Sequence, residues 1–486
     1  MNSIVLEDIK KNVKTPPPYK TFSHKGECFV YDTSNCVFFH IDEPTREFLD
    51  LCLEYPMDEA KKRFLDLNRY NKSTCESVFN EVEIMGKNGL FTVPNYAISD
   101  DAFEKQLEER YNSAWNKLEL SLSEGCNLAC KYCYCSTCRD IPSKGLMTEN
   151  IARQAITWLF AMSGKSEQVS ITFFGGEPLL NKPVLRFAIE YSQKLAKLHG
   201  KKVFYSMTTN GTLLDDEVIG YIKRYNFGLM VSLDGPKELH DKQCPTQNGD
   251  GSYDAAVAGI KKLMARRRSV TVRGTMIHPL PRMLDLIKFY EDFGFTRIVM
   301  GKATNPINPS GVDCDFSDLE SYFKQSDEEI VPWILNELKN KKTPKYYPYS
   351  SMIESLEKNN ISRKVSPFRC GACRGTTTVG ADGALYPCHR FTGMKGWKIG
   401  NIYDGPDYAL CKNFWRKYYN SISKQCLGCW MYSLCKGSCP WELANSDGTF
   451  KIPYLCNHSE NFLKNCAYIL LKKKSIDLQK SSNGEA

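Results

Sequence analysis

No stretch of the 486-residue chain approaches the roughly 18 consecutive apolar residues of a membrane-spanning helix, which excludes a helical membrane protein. A secretory signal is missing too. Met1 to Lys20 is polar and carries Pro16-Pro17-Pro18, so the expected location is the cytoplasm. There is no basic stripe either: the formal charge of +8 is modest and spread along the chain. That suits anionic or peptide partners and gives no ground for nucleic acid. Without a secretory signal, the 21 cysteines argue against a disulfide framework and for metal ligation. With 42% hydrophobic and 25% charged residues, the composition is that of a soluble globular protein long enough for two or three domains.

Three cysteines stand close together in Glu124-Gly125-Cys126-Asn127-Leu128-Ala129-Cys130-Lys131-Tyr132-Cys133, after an alternating apolar run of Leu118, Leu120 and Leu122. A strand opening into such a loop presents three thiolates to one point. Thiolates are the usual ligands of iron–sulfur clusters, which normally take four. Three would leave one iron of a 4Fe–4S cube open to a substrate or cofactor. The alternative is free or zinc-binding thiols, although zinc sites more often use two paired motifs.

The spacing C-x3-C-x2-C, with Tyr132 before the last cysteine, resembles the signature of the radical S-adenosylmethionine (SAM) enzymes. The resemblance implies that Cys126, Cys130 and Cys133 hold a cluster whose open iron takes the amino and carboxylate groups of SAM. Tyr132 would then pack on the adenine. Cys135 and Cys138 read as bystanders.

Residues 117–301 alternate strand and helix, with strands expected at 117–123, 169–174, 203–209, 229–233, 269–276 and 296–300. Such βα units imply an α/β fold, a partial (β/α)6 barrel, with its chemistry in the loops after the strands. Phe174-Gly175-Gly176-Glu177-Pro178 follows the second strand, Thr208-Thr209-Asn210-Gly211 the third and Ser232-Leu233-Asp234-Gly235-Pro236 the fourth. Gly175 and Gly176 let backbone approach a ligand closely, and Glu177 suits an ammonium group. By resemblance, Gly-Gly-Glu-Pro is the motif for the methionine part of SAM and Ser232 a ribose contact. Asn210 and Asp234 match positions near the SAM pocket. Arg273 resembles a residue that reaches the SAM carboxylate or the substrate. Read alone, Glu177 is a solvated turn residue, Asn210 and Asp234 cap helices, and Arg273 pairs with a loop carboxylate. Cys244, three residues after His240-Asp241 where relatives often carry arginine, reads as a buried spare thiol.

Residues 1–95 are expected to form a separate domain. Glu27 to Asp32 and Cys36 to Ile41 flank the turn Thr33-Ser34-Asn35 as a hairpin. A helix follows from Asp42, with Pro44 in its first turn and Phe48, Leu49 and Cys52 inward. Another spans Ser73 to Met85 behind a Ser73–Glu76 capping box. The arrangement resembles the winged-helix-like peptide-recognition domain of peptide maturases, where a leader adds a strand to a sheet edge. A structural lid or dimerisation domain is the alternative. Residues 96–116 read as a connecting helix and 302–368 as a helical bridge.

From 369 to 460 the cysteines return as Cys370, Cys373, Cys388, Cys426, Cys429, Cys435, Cys439 and Cys456, with Ala381-Asp382-Gly383-Ala384 as a hairpin turn. The spacing C-x9-G-x4-C, then C-x2-C-x5-C-x3-C, then a last cysteine resembles the SPASM extension of radical SAM enzymes. It implies two auxiliary 4Fe–4S clusters. Cys370, Cys373, Cys388 and Cys439 would hold the nearer, and Cys426, Cys429, Cys435 and Cys456 the farther. Cys411 and Cys466 are left over. Residues 461–486 read as a helix and a polar tail, disordered from Ser475.

The resemblance covers residues 117–460 and implies a peptide maturase with SAM and three 4Fe–4S clusters. A 5′-deoxyadenosyl radical would abstract hydrogen from a residue of a leader-bearing peptide or small protein, with reduction by a flavodoxin or ferredoxin. Tyr386-Pro387-Cys388-His389-Arg390-Phe391 looks like the thioether-forming maturases of quinohemoprotein amine dehydrogenase and of six-cysteine peptides. Sulfatase maturases more often have aspartate after that cysteine. His389 takes a proton there, or is structural. The first expectation is a cysteine sulfur-to-carbon thioether. Carbon–carbon crosslinking, formylglycine formation and a non-catalytic peptide-binding iron–sulfur scaffold are the alternatives.

Overall fold

The computed structural model describes residues 16–137, 145–267, 269–303, 313, 316–358, 366–451 and 456–482. Cys138 and the side chain of Cys456 lie outside the described residues.

Strands β1 (Tyr19–His24), β2 (Glu27–Asp32) and β3 (Val37–Ile41) form an antiparallel sheet in that order. The expected hairpin joins β2 to β3; β1 went unread. Tyr19, Cys28, Val30 and Ile41 are buried with the helices Glu43–Glu54, Met57–Asp66 and Lys72–Lys87. Asp42 caps the first of these by accepting from Thr45 N at 2.9 Å. The third starts earlier than expected. Its cap is Asn71, which accepts from Thr74 N at 2.9 Å and displaces the Ser73–Glu76 box from that role. The other sheet face, with Phe22, Phe29 and Tyr31, lies on Trp430 and Ala467.

Helix Asp100–Asn112 leads into six parallel strands: β4 (Lys117–Ser123), β5 (Gln168–Gly175), β6 (Lys202–Thr209), β7 (Gly228–Ser232), β8 (Thr271–Met276) and β9 (Arg297–Lys302). They pair in sequence order, each within two residues of its expected bounds, and the sheet stays open because β9 is its far edge. Period-two alternation gives its two faces opposite character. Leu118, Leu120, Ile171, Phe173, Met207, Val231 and Val272 make one face wholly apolar and buried. The other carries Glu119, Thr172, Ser206, Ser232 and Arg273, matched across the strands by the register Glu119↔Thr172, Thr172↔Ser206 and Ser232↔Arg273. The apolar face makes the core, which leaves the polar face for chemistry.

The later cysteine region joins the same sheet. Strand β10 (Thr378–Val379) runs parallel to β4, and β11 (Ala384–Tyr386), β12 (Gly400–Asn401) and β13 (Gly405–Pro406) extend it antiparallel. The turn expected at Ala381 to Ala384 forms, with Gly383 at φ 84°. It returns the chain so that Cys373 N donates to Pro387 O at 3.1 Å. The helix Cys456–Ser482 runs on past Ser475, where a disordered tail was expected.

Candidate active site

The cysteine loop after β4 is held by its neighbours' backbones. Ala129 N donates to Pro245 O at 2.8 Å and Lys131 N to Gln243 O at 3.0 Å, so the segment after β7 runs alongside the loop. On the other side, Gly176 N donates to Ser123 O at 2.7 Å and Glu177 N to Gly125 O at 3.0 Å. A Cβ at Gly176 would run into Gly125 O, so these glycines permit a close approach of loop to loop.

Burial pushes the Cys126 thiol up to about 12, with Cys130, Cys135 and Glu177 as like-charged neighbours. Cys133 is raised by a hydrogen bond with Cys135 and by burial. Cys135, read as a bystander, is thus in direct contact with the group. Such thiols stay protonated until a cation draws the proton off. Among the described residues no three His, Cys, Asp or Glu side chains converge closely enough for one metal ion.

Glu177 is 1% exposed and accepts from Leu179 N at 3.0 Å, Thr209 Oγ1 at 2.8 Å and Asn210 N at 2.8 Å. Burial nevertheless raises its carboxyl to about 7. Asn210 Nδ2 donates to Asn127 Oδ1 at 2.9 Å and lies 3.7 Å from Cys126 Sγ. Asp234 accepts from Tyr132 Oη at 2.8 Å, Cys244 Sγ at 3.3 Å and Thr275 N at 2.8 Å. Cys244 is also hydrogen-bonded to Cys130. Ser232 neighbours Arg273 across the β7–β8 ladder.

Arg273 extends over Gly301, where a Cβ would meet Nη2. Burial lowers its pKa, and the like charge of Arg390 lowers it further. Arg390 sits 5.4 Å from the Tyr134 ring centroid and has Cys439 in electrostatic reach. Among the described residues neither guanidinium has an ion-pair partner. His389, between Cys388 and Arg390, lies 4.3 Å from the Phe174 ring and shares Glu119 Oε2 through Nδ1 at 3.1 Å.

Four of the later cysteines gather here. Cys388 and Cys439 are both raised by burial and both feel Cys370. Cys373 feels Cys370 and is hydrogen-bonded to Cys411, which the spacing had left over. Cys426 ends helix Tyr408–Cys426 and Cys435 ends helix Tyr432–Cys435, with Cys429 between the two helices in sequence. Glu119 and Arg110 carry no motif and were not singled out from sequence; Arg390 was quoted only within the run after Cys388, and Cys411 was set aside as left over.

The family model of the radical SAM superfamily matches residues 120–293, which span the cysteine loop and the loops after β5, β6 and β7. The chain carries a radical SAM domain. Similar proteins include a cysteine-type anaerobic sulfatase-maturating enzyme of Clostridium novyi, 29% identical over 65% of this chain and 85% of the relative. A serine-type counterpart from Bacteroides thetaiotaomicron is 25% identical over 74% of this chain and 91% of its own. A solved structure titled native anSMEcpe with bound AdoMet and Cp18Cys peptide matches with TM-score 0.59 and 21% identity, over 73% of this chain and 97% of that one. A radical SAM enzyme needs a three-thiolate cluster site, and the donor set of the first loop fits one. Among the described residues no helix is long and apolar enough to cross a membrane.

Proposed function

We propose that the protein is a peptide maturase in which Cys126, Cys130 and Cys133 hold the SAM-binding cluster. The single observation that carries this reading is the polar sheet face, which bears Arg273 and the Glu119 that holds His389, and from whose strand β4 the first cysteine loop opens. When bound there, the cluster and SAM would supply the radical chemistry that removes a hydrogen atom from the peptide. Glu177, Asn210, Ser232, Asp234 and Tyr132 would shape the SAM pocket. Arg273 and Arg390, which have no ion-pair partner among the described residues, would orient carboxylate groups of SAM or peptide. His389, held by Glu119 Oε2 at Nδ1, would offer Nε2 to a substrate proton.

Residues 369–460 are proposed to be a SPASM domain holding two auxiliary clusters, and residues 1–95 a leader-binding domain. Among the described residues the outer edge of β3 has no strand partner, which suits β-strand addition. The modification proposed first is a thioether, supported by the His389-Arg390-Phe391 run after Cys388. Formylglycine formation is the second reading, favoured by the sulfatase-maturating relatives.

Anaerobic incubation with SAM, a reductant and cysteine-bearing peptides encoded beside the gene tests this, by mass spectrometry. Loss of two hydrogen atoms, with one cysteine no longer alkylated by iodoacetamide after disulfide reduction, supports the thioether. Exchange of sulfur for an aldehyde oxygen supports formylglycine. Production of 5′-deoxyadenosine with every peptide unchanged would count against peptide maturation.

A further inference from the structure

Helix Asp100–Asn112 does more than connect. Its Arg110 reaches into the later cysteine region, where Nη2 donates to Cys370 O at 2.7 Å and to Ala372 O at 3.2 Å. The guanidinium lies 5.0 Å from the Phe368 ring centroid and 5.5 Å from that of Trp415. Its Nε is buried without a hydrogen-bond partner. Among the described residues no carboxylate pairs with Arg110. The charges that favour its cationic form are Cys373, Cys370 and Cys411.

The carbonyls it holds flank an unusual backbone. Cys373 sits at φ 57°, a left-handed conformation that non-glycine residues seldom adopt. The peptide plane entering it is pinned from both sides, with Ala372 O on Arg110 and Cys373 N on Pro387 O. Arg110 is half-buried and keeps its charge there, and a partly desolvated cation with no counter-charge costs stability. A four-thiolate cluster is anionic and would supply the missing charge.

We propose that Arg110 is the positioning residue of the nearer auxiliary site: it fixes the Cys370–Cys373 turn and holds one positive charge against the thiolates. That charge favours the reduced cluster and so raises its potential. The inference rests on the reading of Cys370, Cys373, Cys388 and Cys439 as a cluster site.

The test compares the reconstituted full-length protein with Arg110→Gln, Arg110→Lys and, as a control for helix docking, Arg416→Gln. Arg416 binds Asp100 and Glu104 of the same helix without touching the cysteines. Iron and sulfide are counted, and potentials are read by EPR-monitored titration. Arg110→Gln is expected to move the auxiliary midpoint negative by at least tenfold in the one-electron equilibrium, about 59 mV. Arg110→Lys and Arg416→Gln should stay close to wild type. Full iron with an unmoved potential in Arg110→Gln overturns the proposal, as does an equal shift in Arg110→Lys. If Arg110→Gln loses iron, retention of iron and potential by Arg110→Lys supports it, and loss in both overturns the charge role. Wild-type protein with iron for only one cluster would instead sink the auxiliary-cluster reading beneath it.

Discussion

Glu119 on the first barrel strand and His389 beside Cys388 share one carboxylate oxygen. Glu119 Oε2 takes both His389 Nδ1 at 3.1 Å and His389 N at 3.3 Å, and also accepts from Thr378 Oγ1 at 2.7 Å. The parallel pairing of β10 with β4 makes this contact, because Thr378 stands opposite Glu119.

If the pair accepts the substrate proton, His389→Gln should lower peptide conversion about a hundredfold, within the usual range for a general base. Peptide-independent 5′-deoxyadenosine formation should be unaffected. Glu119→Gln should cost less, and the double variant should be no slower than His389→Gln alone. Additive losses in a cycle of single-turnover rates would show two separate roles.

Gly176→Ala should displace the cysteine loop, since the added Cβ meets backbone that cannot rotate away. We expect a loss of about 1–3 kcal/mol in unfolding free energy. Iron bound by the first loop should fall while the later cysteines keep theirs. Wild-type iron content and melting would show that the two loops separate at no cost.

Glu177 has a pH signature. Its carboxyl is raised to about 7 by burial, so the fold prefers the protonated form. Stability from that preference is complete below the unfolded carboxyl pKa, near 4.3, and is lost as pH rises through about 7. In protein without SAM or iron, the stability of wild type relative to Glu177→Gln should therefore fall by about 3 kcal/mol between pH 4 and 8. A difference that grows with pH would mean that the three donors outweigh burial.

If Cys370, Cys373, Cys388 and Cys439 hold the proposed nearer auxiliary cluster, Cys370→Ala and Cys373→Ala should each lose it, whereas Cys411→Ala should keep it, with iron content and EPR as readouts. Retention of full iron in Cys370→Ala and its loss in Cys411→Ala would make Cys411 the fourth ligand.

What could be read from sequence was whatever local pattern controls. The six barrel strands were legible because Leu118, Leu120 and Leu122 and their counterparts alternate with polar residues. The Asp42 cap was legible because Pro44 and the inward Phe48 and Leu49 follow it. β1 was missed because Tyr19 to His24 has no turn signal of its own and gains its place by pairing with β2. The Ser73 box lost to Asn71 because a cap is chosen by where the helix starts. Glu119 and Arg110 could not be seen, and Arg390 was quoted without a role of its own, since their meaning comes from contacts across hundreds of residues. Cys244 read correctly as buried; its place between Cys130, Tyr132 and Asp234 depends on the segment after β7 lying along the first loop.

The central claim is that the first loop holds the SAM-cleaving cluster. Its most direct measurement is 5′-deoxyadenosine formation under dithionite by the triple variant Cys126→Ala, Cys130→Ala and Cys133→Ala, with iron counted in the same sample. The account predicts no 5′-deoxyadenosine, with the iron of the later cysteines retained. Continued formation of 5′-deoxyadenosine by the triple variant would contradict it.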